Sequence, residues 1–276
     1  MDNILSIKGV SKSFGSKKIL DELSFDVPRN SIYGFVGKNG AGKTTTMKLI
    51  LGMYQADGGE IYVNGEKVTY GANKTNKYIG YLPDVPEYYG YMKPKEYLRL
   101  CADITGMPKE TMEEEIDRML EMVGLSKDNK RIAGFSRGMK QRLGIAQALL
   151  SKPQLLICDE PTSALDPVGR KEILDILKSV SQETTVIFST HILSDVERIC
   201  DHVGILNDGK LAWQGDRDSL KAMSKNTGFE VEFESVEELK KAIKLLEENN
   251  IGIKSLDMKD SNLEDLFMEV MNHETV

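Results

Sequence analysis

The segment that most constrains this chain is GKNGAGKT, residues 37–44. Small residues at this spacing let backbone N–H groups approach the oxygens of a phosphate closely, and a following helix adds partial positive charge. The run SIYGFV before the segment predicts a buried strand, and apolar residues at 47–51 predict the buried side of a helix. A strand, a glycine-rich loop and a helix in this order predict a nucleoside triphosphate site. The fixed positions of the pattern are Gly37, Gly42, Lys43 and Thr44.

Two side chains of this loop have predicted tasks of their own. Lys43 is expected to reach the β and γ phosphates, and the Thr44 hydroxyl is expected to ligate Mg²⁺. The remaining contacts are expected from backbone N–H groups. The residues predicted to hold the nucleotide here are Gly37, Lys38, Asn39, Gly40, Ala41, Gly42, Lys43, Thr44 and Thr45.

Composition narrows the class of protein. The chain has 276 residues, 40% of them hydrophobic, which suffices for one large core or two modest ones. No stretch has the roughly 18–20 apolar residues that a membrane helix needs, and the start MDNILSIKG does not predict a signal peptide. The three cysteines form no CxxC pair, so we expect thiols that pack in a reducing cytoplasm.

Charge is distributed unevenly. Residues 226–276 hold 13 acidic and 5 basic side chains, whereas residues 1–225 hold 30 acidic and 31 basic ones. Neither part has the basic excess of a nucleic-acid binder, so no nucleic-acid partner is expected. The acidic tail also argues against adhesion to an anionic membrane by charge alone.

The order of elements predicts an α/β protein with parallel strands. Short apolar runs separated by turn signals suggest strands up to residue 82, helical spacing dominates from 94 to 150, and strands and helices then alternate to residue 207. A last unit reads β-α-β-α. Its expected strands are 229–233 and 251–258, and capping boxes at Ser235 with Glu238 and Ser261 with Glu264 predict two helix starts.

Three later motifs carry further chemistry. LLICDEP, residues 155–161, predicts a buried strand that delivers two carboxylates at its end, of which Asp159 suits Mg²⁺. STHIL, residues 189–193, places His191 at the end of another apolar strand. FSRGMKQR, residues 135–142, is either an ordinary helix start capped by Ser136 or an anion site at that helix start.

Together these motifs resemble the nucleotide-binding subunit of an ATP-binding cassette (ABC) transporter. The resemblance implies an α/β fold: a P-loop NTPase (RecA-like) core with an antiparallel β subdomain and an inserted α-helical subdomain at about 85–151. It covers residues 1–225, the expected ABC ATPase domain, while 226–276 form the expected C-terminal extension. The match of that small α+β unit to export-type subunits rests mainly on LEDLFMEV, residues 263–270.

The resemblance also implies roles for single residues. Lys43, Glu160 and His191 are the expected catalytic groups, with Glu160 as the general base that polarises the attacking water. Metal ligation is expected from Thr44, Asp159 and Asp84, and Phe14 is expected to stack on adenine, although a core position is the rival reading. The nucleotide of the other subunit is expected to contact Ser136, Arg137, Gly138, Met139 and the D-loop residue Asp166.

The chain departs from the family pattern at named positions. The signature loop is usually LSGGQ, but Phe135 replaces the leucine, Arg137 replaces a glycine and Met139 replaces the glutamine. Asp84 stands where the family usually has the Q-loop glutamine, and a carboxylate cannot donate the hydrogen bonds of an amide. These departures leave room for a regulatory module that binds ATP with little turnover.

The function implied is an ATP-hydrolysing subunit, with ATP and Mg²⁺ as cofactors, that powers a membrane transporter. Its expected partners are separate transmembrane permease subunits and a second copy of itself or a homologous ATPase, at the cytoplasmic face of the membrane. Tyr88, Tyr89 and Tyr91 are either the docking surface for the permease or packing residues. Two alternatives remain open: a soluble cassette ATPase without a transport role, and a regulatory module that binds ATP with little turnover.

Overall fold

The computed structural model describes residues 2–71, 74–223, 235–249 and 251. The chain divides into two compact units, Met1–Lys221 and Ala222–Val276, close to the predicted boundary at 225/226. All nucleotide motifs predicted from the sequence lie in the first unit.

A mostly parallel sheet forms the centre of the first unit and contains six strands among the described residues. Three of its strands, Ile32–Val36, Leu155–Asp159 and Thr185–Thr190, are buried along their whole length because both faces of the sheet are covered. The edge strand β10 is antiparallel to its neighbour, and the other neighbouring pairs are parallel. In spatial order the strands are β10 (Lys210–Asp216), β9 (His202–Asn207), β3 (Ile32–Val36), β8 (Thr185–Thr190), β7 (Leu155–Asp159) and β6 (Ile79–Leu82).

A second, antiparallel sheet has four strands within the described part of the chain. Its two long strands pair along most of their length and bury alternate side chains against the central sheet. In spatial order its strands are β2 (Lys17–Pro28), β1 (Asn3–Phe14), β4 (Gly58–Val63) and β5 (Glu66–Lys67).

The helices between residues 94 and 199 cover the other face of the central sheet, whereas the helix after β3 packs with the antiparallel sheet. An inserted helical segment joins β6 to β7. Short 3-10 turns lie at Lys74–Tyr78 and Ile132–Gly134. Among the described residues, no helix is long and apolar enough to span a membrane. The described helices are α1 (Lys43–Ile50), α2 (Pro94–Thr105), α3 (Lys109–Met122), α4 (Arg137–Leu149), α5 (Pro167–Val180), α6 (Leu193–Ile199) and α7 (Arg217–Met223), and, in the second unit, α8 (Val236–Glu248).

The central sheet separates two hydrophobic cores. Along β7, Leu156 and Cys158 lie in the core with α2–α6, whereas Leu155 and Ile157 lie in the core with α1 and the antiparallel sheet. This alternation is the period of two that a strand imposes, here with apolar residues on both faces. The predicted α/β class, with its antiparallel and helical subdomains, is therefore confirmed.

Some elements differ from the sequence prediction. The antiparallel edge strand β10 and the short strand β5 were not predicted, because their sequences alternate only weakly between apolar and polar residues. A turn through Asp208 and Gly209, both with positive φ, connects β9 to β10 and was the available signal. β10 pairs with the edge of β9 that does not face β3.

Of the predicted C-terminal unit, the first helix is described. α8 begins after Ser235, whose Oγ accepts a hydrogen bond from the Glu238 amide at 3.3 Å, so the predicted serine cap is confirmed. The predicted strands at 229–233 and 251–258 and the helix start at Ser261 lie outside the described residues, apart from residue 251.

Close packing of α4 on the sheet leads to a stability prediction. A Cβ on Gly80 in β6 would lie 2.2 Å from the carbonyl oxygen of Ala148 in α4, a contact that only a backbone shift relieves. Gly80→Ala should therefore lower the free energy of unfolding by about 1–3 kcal/mol, as overpacked sites do. Gly58→Ala, in a strand where an added Cβ meets nothing within 4 Å, is the control and should change it by less than about 1 kcal/mol. Urea unfolding of both variants measures the difference, and equal values would contradict the packing argument.

Candidate nucleotide site

Four neighbouring parallel strands end at one edge of the central sheet. The last residues of β3 and β8 are in register (Val36 with Thr190), β7 and β8 pair Asp159 with Ser189, and β6 ends beside β7. The segments that follow these strands hold the phosphate loop, His191, Glu160 and Asp84. The carboxyl edge of a parallel sheet is where ligands bind in α/β folds, so the geometry agrees with the predicted site.

The phosphate loop depends on two glycines for steric reasons. A Cβ on Gly37 would lie 2.7 Å from the Leu206 carbonyl oxygen, and a Cβ on Gly42 would lie 2.7 Å from Leu20 Cδ2. Gly42 also has a φ of 114°, which side chains disfavour. Gly42 precedes α1 and offers no side-chain cap, so the first N–H groups of the helix remain for an anion.

Lys43 is buried at the start of α1 and is surrounded by oxygens. Its Nζ donates to the carbonyl oxygens of Gly37 at 2.6 Å and Lys38 at 3.2 Å. The same ammonium lies 3.0 Å from Glu160 Oε1, an ion pair without hydrogen-bond geometry. A buried cation needs such compensation, and triphosphate oxygens supply the same kind of partner. Thr44 is exposed at the helix start and Thr45 is half-buried.

Glu160 stands at the centre of the site in an unusual backbone conformation. Its φ of 49° lies in the left-handed region, which costs a residue with a side chain roughly 1–2 kcal/mol. Ser189 stabilises this turn, because its carbonyl oxygen and Oγ accept from the Glu160 amide at 3.2 and 2.9 Å. The Glu160 carboxylate lies between two partners, with Oε1 near Lys43 and Oε2 2.9 Å from His191 Nδ1.

Asp159 is buried at the end of β7 and shares Ser189 with its neighbour. Ser189 Oγ donates to Asp159 Oδ1 at 2.6 Å while it accepts from the Glu160 amide. This bridging serine was not among the predicted site residues, although STHIL contained it. Since Mg²⁺ needs one or two protein oxygens beside phosphate and water, the Asp159 carboxylate and the exposed Thr44 hydroxyl fit it. No group of three or more His, Cys, Asp or Glu side chains suited to a metal occurs in the described ranges.

A buried network behind the site was also missed by sequence reasoning. Asp195 in α6 is almost completely buried and accepts from Thr162 Oγ1 at 2.6 Å and from Arg170 Nε at 2.5 Å. It thereby connects the segment after Glu160 to the helix after His191. Nothing in the spacing of these three residues predicted the contact. Asp166, predicted to contact nucleotide, caps α5, since its Oδ1 accepts from the Gly169 amide at 2.7 Å.

The predicted signature loop begins α4. Ser136 caps this helix, with its Oγ accepting from the Met139 amide at 3.2 Å, and an added Cβ on Gly138 would meet only Leu165 at 3.9 Å. Arg137 Nη2 donates to Asp84 Oδ1 at 3.1 Å, so one carboxylate oxygen of the predicted metal ligand bonds a guanidinium. The pKa of Asp84 is raised above its usual value, mainly by burial. The guanidinium of Arg137 opposes this rise, and the charges of Asp159 and Glu160 add to it.

Phe14 and the predicted tyrosines have distinct surroundings. Phe14, at the end of β1, is 45% exposed, which excludes the core position considered as its rival role. Its ring meets the edge of Tyr54 at 5.3 Å between centroids. Tyr88 packs against α4, where its hydroxyl donates to the Lys140 carbonyl oxygen at 2.6 Å, so it is a packing residue. Tyr89 and Tyr91 are 55% and 68% exposed.

Comparisons with known proteins agree with this geometry. The profile of the ABC transporter family matches residues 20–163. The uncharacterized ABC transporter ATP-binding protein YxlF of Bacillus subtilis is 42% identical over 82% of this chain and 75% of its own length. The bacitracin transport ATP-binding protein BcrA of Bacillus licheniformis is 35% identical, and the alignment covers 100% of both chains.

Solved structures also resemble this chain. An ATP binding subunit of an ABC transporter superposes with a TM-score of 0.72 at 30% identity, covering 87% of this chain and 99% of that one. Clostridium perfringens cbiO1, part of the cbiONQ transporter complex, superposes with a TM-score of 0.75 at 22% identity over 97% and 100% of the two chains. The second likeness supports the fold alone.

The position of Ser189 leads to a prediction about turnover. Ser189→Ala removes the bridge between Asp159 and the Glu160 amide, and losing a buried hydrogen bond costs about 1–3 kcal/mol. If that cost falls on the reacting geometry, triphosphate hydrolysis should drop roughly 5- to 150-fold. Ser31→Ala removes another buried serine, whose Oγ donates to the Pro28 carbonyl oxygen at 2.8 Å, and is the control. Steady-state phosphate release measures both, and equal rates for the two variants would exclude a role for Ser189 in turnover.

Proposed function

The chain belongs to the ATP-binding subunits of ABC transporters, ATPases that power transport across a membrane, and we propose that it works as a dimer with two composite ATP sites. Each site would combine the phosphate loop of one copy with residues 136–139 of the other. One observation carries the assignment of the catalytic groups: Glu160 lies between Lys43 and His191 at the carboxyl edge of the sheet.

The proposed chemistry is attack of water on the γ-phosphate, which breaks the bond to the oxygen that bridges the β and γ phosphates and releases ADP and phosphate. Glu160 accepts a proton from the attacking water. Lys43 moves from Glu160 towards the β and γ phosphates, because phosphate oxygens replace the carboxylate as its partner. His191 orients Glu160 through the contact at Oε2. Thr44 and Asp159 would hold Mg²⁺, which neutralises phosphate charge when bound. Asp84 is the third predicted metal ligand, but its Oδ1 bonds Arg137, so Mg²⁺ ligation is proposed for Thr44 and Asp159 alone.

The second half of each site is proposed to come from the other copy. Ser136, Gly138 and Met139 form the uncrowded start of α4, where backbone N–H groups suit a γ-phosphate. Asp166 would lie across the same interface. Phe14, which is exposed at a strand end, would instead belong to the half with the phosphate loop and stack on adenine. A second copy or a homologous ATPase subunit would fill the partner position.

Membrane permease subunits are the proposed working partners, at the cytoplasmic face of the membrane. A cavity of about 370 Å³ lies between the segment after Asp84 and α4, and Tyr89 and Tyr91 stand exposed in that segment. Its lining is formed by Val85, Pro86, Glu87, Tyr88, Gly90, Ile132, Ala133 and Lys140. Export is the proposed direction, on the likeness of residues 263–270 to the extensions of export-type subunits.

If Glu160 is the general base, a variant without it should still bind ATP but hydrolyse it slowly. Glu160→Gln keeps the shape of the side chain but removes its basicity, so hydrolysis should fall by about 10² or more while MgATP still binds. The same variant with saturating MgATP should shift from monomer to dimer in light scattering. Near-normal hydrolysis would exclude Glu160 as the base, and turnover by the unaltered protein argues against a purely regulatory module.

The docking proposal predicts loss of coupling. Changing Tyr89 and Tyr91 to Ser should sharply reduce co-purification with the permease and the stimulation of ATP hydrolysis that it gives, because exposed tyrosines supply interface area. Hydrolysis by the isolated protein should stay within about twofold, as expected for surface changes away from the reacting groups. Tyr70→Ser, at a tyrosine 62% exposed, is the control, and normal permease binding by the double variant would refute this surface.

A further inference from the structure

Two charged residues stand where the family pattern has uncharged ones, and their side chains are in contact. Asp84 stands in place of the usual glutamine after β6, and Arg137 stands in place of a glycine at the first position of α4. Although they are 53 positions apart, Arg137 Nη2 donates to Asp84 Oδ1 at 3.1 Å. Each of the two unusual residues therefore provides the partner that the other needs.

Further bonds attach the same two segments to each other. Gln141 follows Arg137 by one helical turn, so the two side chains lie on the same face of α4. Gln141 is completely buried, and its Nε2 donates to the Asp84 carbonyl oxygen at 2.7 Å. Tyr88 Oη donates to the Lys140 carbonyl oxygen at 2.6 Å. Residues 84–88 are thus fixed to the beginning of α4, which carries Ser136.

Neighbouring charges would make either Asp84 or Arg137 unfavourable without the other. Asp84 is close enough to Asp159 and Glu160 for their charges to act on it, and Arg137 opposes that repulsion. Arg137 in turn lies at the partially positive end of α4, where a cation is unfavourable without a counter-charge. Since 42% and 46% of the two side chains are exposed, the pair contributes little to folding stability.

We propose that Asp84 and Arg137 are compensating positioning residues that fix residues 135–139 for the nucleotide held by a second copy. The inference rests on the proposed composite site. The pair acts through the backbone of the signature loop and through Ser136, so it governs turnover more than the affinity of one copy for nucleotide. Restoring the family residue at only one of the two positions leaves an uncompensated charge beside the site.

A double-mutant cycle in the full chain tests the pair. Asp84→Gln and Arg137→Gly each restore one family residue, and each should lower kcat for ATP by about tenfold, within the coupling range of contacting residues. The double variant should recover to within about threefold of the unaltered protein, because no charge is left unpaired. The calorimetric affinity for MgADP should stay within about threefold throughout, since one copy binds it through its own phosphate loop.

A second ion pair provides a matched control. Arg198 Nη2 lies 3.1 Å from Asp175 Oδ1, with side chains 41% and 55% exposed, between α6 and α5. Arg198→Ala and Asp175→Asn should leave kcat within about twofold, as for other surface changes. Arg137→Lys keeps the charge and should retain more activity than Arg137→Gly. If the double variant unfolds below the assay temperature, Asp84→Asn with Arg137→Gln completes the same cycle.

The outcomes separate the inference from the proposed function. Additive losses in the double variant, or single variants as active as the unaltered protein, overturn the compensating pair while ATP hydrolysis itself stands. Lower MgADP affinity in proportion to kcat would also overturn it, because the pair would then act on the phosphate loop of its own copy. An unaltered protein that neither binds nor hydrolyses ATP overturns the proposed function and the inference with it.

Discussion

The parallel register of four central strands is the constraint on which the site depends. Because β3, β8, β7 and β6 end at one edge, the segments that follow them lie close together. The buried ammonium of Lys43 then satisfies carbonyl oxygens of its own loop and a carboxylate delivered by a different strand. The order of the strands therefore brings the site together, and Lys43 has Glu160 as its counter-charge without a nucleotide.

Much of this arrangement could be predicted from the sequence. The glycine spacing before Lys43, the apolar run before Asp159 and the apolar strand before His191 each specify a strand end, and parallel strands bring such ends together. The roles of these residues in catalysis remain predictions, but their placement at one edge agrees with the geometry.

The rest depends on contacts that sequence spacing does not encode. Ser189 bridges Asp159 and the Glu160 amide only because β7 and β8 are in a particular register. Tyr88 is half-buried while Tyr89 and Tyr91 are exposed, since their segment has no regular period from which a face could be read. The contact between Arg137 and Asp84 joins two separate motifs, so neither motif alone could reveal it.

The pairing of β3 with β8 also has a consequence for folding. Residues 32–36 hydrogen-bond with residues 186–190, so the phosphate loop acquires its supporting neighbour only after most of the first unit has been synthesised. Such distant pairings form slowly, because the intervening chain must be ordered before the contact stabilises it. Nucleotide that binds only the completed site would then stabilise the whole unit by mass action. A nascent chain that ends before β8 carries the full glycine-rich motif without the edge that makes it a binding site.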